Sequence, residues 1–174
     1  MVDKKRSHGR IGEAATAAKC WMHGIPAHFT GGLRSNFAGS DLIVDTDDPR
    51  KKLWVQVKSG YCGANQVYLT QAAGEDDLTN DKFVADFVVF MNIERKAGQN
   101  HNHDGALSFE HLTFYVVPRE DANRIFREAV RREHARPLKT GGVRKLGMLA
   151  VYVPTNEMEC FKNAWNLLRG QTVG

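Results

Sequence analysis

Asp41, Gln56 and Lys58 put an acid, a primary amide and an amine within one short stretch, GSDLIVDTDDPRKKLWVQVKSG, residues 39–60. The acid and the amide offer oxygen atoms and the amine a positive charge, the types that work on an anionic group requires. Whether they act together depends on the chain between them. Residues 41–45 and 53–58 each read as a strand. Asp47-Asp48-Pro49-Arg50 joins them, with proline suited to the second position of a type I turn.

Side chains alternate along a strand, so Leu53, Val55 and Val57 share one face and Trp54, Gln56 and Lys58 the other. Gln56 and Lys58 then lie about 7 Å apart. A turn centred near Asp48 and Pro49 pairs Val44 with Leu53, Leu42 with Val55, and Asp41 with Gln56. That register makes an apolar face of Leu42, Val44, Leu53 and Val55 and gathers Asp41, Gln56 and Lys58 opposite. A slip of one residue destroys both groupings. A polar face also suits an ordinary half-buried hairpin in which Asp41 is a turn residue, and the hairpin alone does not decide between the two.

The surrounding elements follow from pattern and punctuation. A helix is predicted over residues 11–23, with Ile11, Ala14, Ala15, Ala18, Trp21 and Met22 near one side and Gly24 to stop it. A strand over 27–30 precedes the turn Gly31-Gly32 and the polar stretch Arg34-Ser35-Asn36. Beyond the hairpin come an extended segment at 67–70 and a helix or turn at 77–82. The nearly continuous apolar run FVADFVVFMNI, 83–93, predicts a strand buried on both faces in the middle of the sheet. The polar segment 94–111 holds His101 and His103, but no strand and helix flank them to fix metal-ligand geometry, and they are set aside as a site. A strand at 114–117 leads into an amphipathic helix at 119–134, opened by Glu120 and Asp121 and closed by Arg131 and Arg132. A last strand at 148–153 precedes a final helix, with Asn156 and Glu159 as a variant cap and Phe161, Trp165 and Leu168 facing the core. Trp54 and Trp165 read as packing residues. The sum is a single α/β domain, residues 1–174, with a central mixed β-sheet flanked by helices on both sides.

Bulk properties narrow the function classes. At 174 residues, 42% hydrophobic and 25% charged, the chain has the length and composition of a soluble globular domain. No stretch approaches the roughly 20 apolar residues of a membrane span, and MVDKKRSHGR lacks the apolar core of a signal peptide, so an intracellular protein is expected. Three scattered cysteines argue against a disulfide framework or a zinc knuckle. The net charge of +4 is a mild bias toward a polyanion. Its distribution says more: Arg131, Arg132, Arg136, Lys139, Arg144 and Lys145 face the single acid Glu133, and Gly141-Gly142 makes a flexible basic loop. Such a loop suits a phosphate backbone; a solvated helix end with its connector is the alternative.

In chain order there is a helix with Glu13, a hairpin bearing Asp41 and then Gln56-x-Lys58, further helix, and a buried strand. This order resembles the PD-(D/E)XK nuclease superfamily, the restriction-endonuclease-like fold of many restriction enzymes, archaeal Holliday junction resolvases and some homing endonucleases. The likeness runs from about Gly9 to Phe90, and more loosely to Val130. Carried over by resemblance, Glu13 matches the acid on the first helix, Asp41 the motif aspartate, Gln56 the position usually held by Glu or Asp, and Lys58 the motif lysine. Ser40 stands where proline is frequent, and Gln56 replaces a carboxylate, which predicts weaker or more substrate-dependent metal binding.

The resemblance implies Mg²⁺, with Mn²⁺ able to substitute, held by Glu13, Asp41, the Gln56 side-chain oxygen and the Val57 backbone carbonyl, with Lys58 orienting the attacking water. Arg34 and Asn36 before Asp41, with Arg136, Lys139, Arg144 and Lys145, are the expected nucleic-acid contacts; for Arg34 and Asn36 a loop hydrogen-bonding role is the alternative. The expected function is a Mg²⁺-dependent DNA endonuclease of restriction, homing or junction-resolving type, a homodimer because cutting both strands takes two sites. The alternatives are an RNA-directed nuclease and a nucleic-acid-binding protein that keeps the fold but has lost efficient catalysis, with Gln56 in the latter's favour.

Overall fold

The computed structural model describes residues 4–30, 39–63, 65–94, 111–137 and 149–170, with side chains from residue 9 onward. Its elements are α1 (Lys4–Met22), β1 (Ala27–Phe29), β2 (Leu42–Asp45), β3 (Lys52–Cys62), β4 (Gln66–Ala72), β5 (Phe87–Glu94), β6 (Leu112–Pro118), α2 (Arg119–Ala135) and β7 (Leu149–Pro154). Five strands form the main sheet in the order β1-β2-β3-β5-β6. Every neighbouring pair is antiparallel except β3 and β5, which run parallel. β4 and β7 make a separate antiparallel ribbon. The architecture is thus mixed α/β, with a central mixed sheet and, among the described residues, two α-helices.

The hairpin has the register its hydrophobic alternation demands, with Val44 opposite Leu53 and Leu42 opposite Val55. The Lys51 N–H donates to the Asp48 carbonyl at 2.9 Å, placing Pro49 second in the turn. Leu42, Val44, Leu53, Val55 and Val57 are buried together under α1 and the short 3₁₀ turn Trp165–Arg169. On the other face, α2 and the β4–β7 ribbon cover a second cluster that includes Val88, Phe90, Val117 and Phe126. β5 feeds both clusters: Val89, Met91 and Ile93 point one way, Val88 and Phe90 the other. That is why its sequence is nearly continuous in apolar residues.

Three boundaries differ from the expectation. β5 starts at Phe87 instead of Phe83, and it lies inside the sheet between β3 and β6, as its apolar run predicts. The preceding segment is held by Asn123 of α2, whose Oδ1 accepts the Lys82 and Phe83 N–H groups at 2.8 and 2.9 Å and whose Nδ2 donates to the Phe83 carbonyl at 2.9 Å. α1 begins at Lys4, seven residues before the predicted start (11 − 4), and Gly24 at φ +69° turns the chain away after it. The expected helix or turn at 77–82 is a 3₁₀ helix at Glu75–Leu78, where the Asp77 carboxylate accepts the Ala73 N–H at 2.6 Å.

The final α-helix is replaced by three 3₁₀ turns, Thr155–Glu157, Glu159–Phe161 and Trp165–Arg169. The free edge of β6 captures the chain here: Lys162 bridges Tyr115, and the Asn163 N–H donates to the Phe114 carbonyl at 2.8 Å. Asn163 takes φ +52°, incompatible with a continuing right-handed helix. Phe161, Trp165 and Leu168 are nonetheless buried, as their apolar character requires.

Candidate active site

Asp41 is the last residue before β2, and three contacts fix its backbone. Its N–H donates to the Val55 carbonyl at 2.9 Å and its carbonyl accepts the Thr30 N–H at 3.0 Å. The Thr30 hydroxyl donates to the Ser40 carbonyl at 2.7 Å. Thr30 itself is buried, so the 40–41 backbone is held from inside the protein. Gly39 enters at φ +98°, where a Cβ would come within 2.6 Å of Val84 Cγ2.

So held, Asp41 Oδ2 accepts the Val57 N–H at 2.6 Å. The β2–β3 ladder begins at Leu42 and Val55, so the carboxylate substitutes for the rung the strand no longer supplies. A strand residue points its N–H and C=O to the same side. The Val57 carbonyl therefore also faces the β2 edge, beside Asp41.

Gln56 follows on the face opposite Val55 and Val57, and its buried Oε1 has no hydrogen-bond partner among the described residues. Lys58 comes two residues later on the same side. Burial depresses its ammonium, with Lys82 acting in the same direction and Asp41 and Glu13 opposing. Glu13 arrives from α1. Burial and then the Asp41 charge raise its carboxyl, while Arg10 and Lys58 hold it down. Glu13, Asp41 and Lys58 thus feel one another's charges, although α1 packs on the opposite face of β3.

What brings α1 so close is Gly12. A Cβ there would lie 2.7 Å from Ser59 Cβ and 2.8 Å from its Oγ, so only a glycine lets the helix rest on β3 one residue beyond Lys58. Among the described residues no three His, Cys, Asp or Glu side chains gather as a metal cage. Two carboxylates are complemented by one amide oxygen and one backbone oxygen, donors that suit a hard, oxygen-preferring cation such as Mg²⁺.

Glu13, Asp41, Gln56, Val57 and Lys58 are therefore brought to one neighbourhood. Arg136 caps the end of α2, with an exposed side chain 3.6 Å from Glu133. Part of the basic run is used internally, since Arg131 donates to the Leu78 carbonyl at 3.0 Å and Arg132 pairs with Glu157. Arg34, Asn36, Lys139, Arg144 and Lys145 lie outside the described residues, as do His101 and His103. Trp165 is core and Trp54 is half-buried.

Gly12, Thr30 and Lys82 escaped the sequence reading. Only Gly12 carried a signal, as a glycine inside a helix next to the candidate acid. Lys82 is held by Asp77 at 3.1 Å and lies over the Phe126 ring.

No protein-family model and no curated protein matches the sequence. Among solved structures, the fold is similar to that of a bacterial homing endonuclease, I-Ssp6803I, with a TM-score of 0.52 over 97% of this chain and 95% of that one. Only 14% of residues are identical, so the likeness is one of fold.

Proposed function

We propose that the chain is a divalent-metal-dependent DNA endonuclease with the PD-(D/E)XK arrangement on a restriction-endonuclease-like fold, glutamine taking the second acidic position. The observation that carries the reading is Gln56 Oε1. It is a buried acceptor with no partner among the described residues, between Asp41 and Lys58 on one face of a hairpin. Left unpaired, such an atom costs roughly 1–3 kcal/mol, and a cation gives it a partner. The fold likeness to a homing endonuclease supports the same reading.

Glu13, Asp41, Gln56 and the Val57 carbonyl would hold Mg²⁺ or Mn²⁺. When bound, the metal supplies positive charge to the phosphate and to the departing 3′ oxygen. The remaining work belongs to the chain. Asp41 accepts the Val57 N–H with Oδ2, and Oδ1 would be the oxygen it offers the cation. Lys58, its ammonium kept short of water by burial, orients the attacking water and offsets phosphate charge. Water adds to phosphorus and the 3′ oxygen leaves, giving 5′-phosphate ends. Two copies would serve the two strands of a duplex, in an intracellular protein of one domain.

The test is incubation of the purified chain with plasmid DNA, branched DNA and RNA in Mg²⁺, Mn²⁺ or EDTA. Cleavage in either metal and none in EDTA is the expected result. Binding without cleavage of any DNA would make the chain a scaffold of the same fold, and cleavage confined to RNA would redirect the substrate assignment.

A further inference from the structure

β3 and β5 continue beyond the candidate active site and end, and β6 begins, around a cleft of about 240 Å³. Lys58 pairs with Phe90 and Cys62 with Glu94, so the cleft lies four residues, about 13 Å, further along the strands. Asn92, Glu94, Thr113, Tyr115, Glu159 and Lys162 supply most of its functional groups.

Asn92 is the anomaly. It sits in the apolar run of β5, 3% exposed, and its Nδ2 makes one long bond, 3.4 Å, to the Gln66 carbonyl. Its Oδ1 is buried with no hydrogen-bond partner among the described residues. An unpaired buried acceptor destabilises a fold, and an apolar residue of similar size would avoid that cost. The rest of the lining is acceptor-rich and anionic, since Glu94 and Glu159 outnumber Lys162, which Glu159 already engages at 3.3 Å. Burial, then Cys62 and Glu159, raises the Tyr115 phenol, in keeping with a negative surrounding.

We propose that this cleft binds a small organic cation bearing N–H donors, an ammonium or a guanidinium, with Asn92 Oδ1 accepting one N–H and Glu94 balancing the charge. The volume lies below the roughly 300 Å³ at which sites for drug-sized ligands begin, so the ligand is a head group and little more. This site is independent of the hairpin and of the nuclease reading.

The experiment follows the Asn92 side-chain amide resonance of the full chain by NMR during titration with methylguanidinium, methylammonium and tetramethylammonium chlorides at fixed ionic strength. A saturable shift with one or both N–H cations, and none with tetramethylammonium, is expected; which N–H cation binds tighter assigns the head group. Asn92→Leu and Glu94→Gln should each weaken binding about tenfold, the weight of one charge-assisted hydrogen bond, followed through the Thr113 and Tyr115 backbone amides. Asp41→Asn should leave it unchanged. Glu94 lies at an exposed strand end, so its variant remains informative should Asn92→Leu fail to fold. A shift of equal size with tetramethylammonium, no saturable shift at all, or full affinity in Glu94→Gln would each overturn the proposal; the second outcome would mean the cleft holds water only.

Discussion

At the residue scale, Asp41 is both ligand candidate and backbone cap, and substitutions separate the two roles. Asp41→Asn keeps an oxygen for the Val57 N–H but removes the charge, so cleavage should vanish while the melting temperature stays near the parent's. Asp41→Ala should lose both, with about 1–3 kcal/mol of stability gone for the orphaned N–H; equal thermal stability of the two variants would refute the cap. Gln56→Leu should leave the fold as stable or more so, because the lost oxygen had no partner among the described residues, yet abolish metal binding in calorimetric titration. Gln56→Glu should tighten it, since a full charge coordinates a hard cation better. Should neither change move metal affinity, Gln56 is no ligand. A third expectation concerns pH in EDTA. The folded-state pKa of Glu13 lies above its ordinary 4.5, so the folded chain binds that proton more firmly than the unfolded chain, and stability declines as pH rises from 4.5 through the raised value. Glu13→Gln should therefore melt higher than the parent at pH 7 and converge with it near pH 4. Lys58 works with the opposite slope: its lowered value means stability gained as pH climbs from that value toward 10.5.

At the scale of elements, the meeting of α1 and β3 is the most exacting contact in the site. Alanine at Gly12 gains about 1 kcal/mol in helix propensity, but its Cβ would press on Ser59, an overpacking that costs about 1–3 kcal/mol. Gly12→Ala should lower the melting temperature by a few degrees and reduce cleavage further by displacing Glu13. Ser59→Gly in the same chain should restore part of both, and additive losses in the double variant would place the strain elsewhere. The same contrast explains what the sequence made legible. The hairpin register and the grouping of Asp41, Gln56 and Lys58 follow from period-two alternation and a proline turn, both local. Thr30 and Gly12 act through partners 10 and 47 residues away (Ser40; Ser59, 59 − 12), and no local pattern announces such contacts. The last helix was misread for the same reason: residues 162–163 satisfy their backbone on the edge of β6, a tertiary bond that overrides a plausible local cap.

At the scale of the whole molecule, the net charge of +4 is modest, so DNA affinity should rest on a few focused contacts. Neutralising Arg136, Lys139, Arg144 and Lys145 together should weaken binding to all sequences alike and flatten the dependence of log affinity on log salt by about 0.9 per lost phosphate contact. An unchanged slope would move the DNA path off this segment. The topology carries one more consequence, for the order of assembly during synthesis. The hairpin closes within a few residues, so Asp41, Gln56 and Lys58 can meet as soon as β3 leaves the ribosome. β4 must wait, because its β7 partners lie between 77 (Ala72 to Leu149) and 88 (Gln66 to Pro154) residues downstream. Until they emerge, the apolar side chains of Val67 and Leu69 lie on a strand with no ribbon partner, the kind of edge that recruits other chains. The hairpin that carries Asp41, Gln56 and Lys58 is thus among the first parts of this protein able to form, and β4, with its ribbon incomplete until the end, is the segment a chaperone would have most reason to cover.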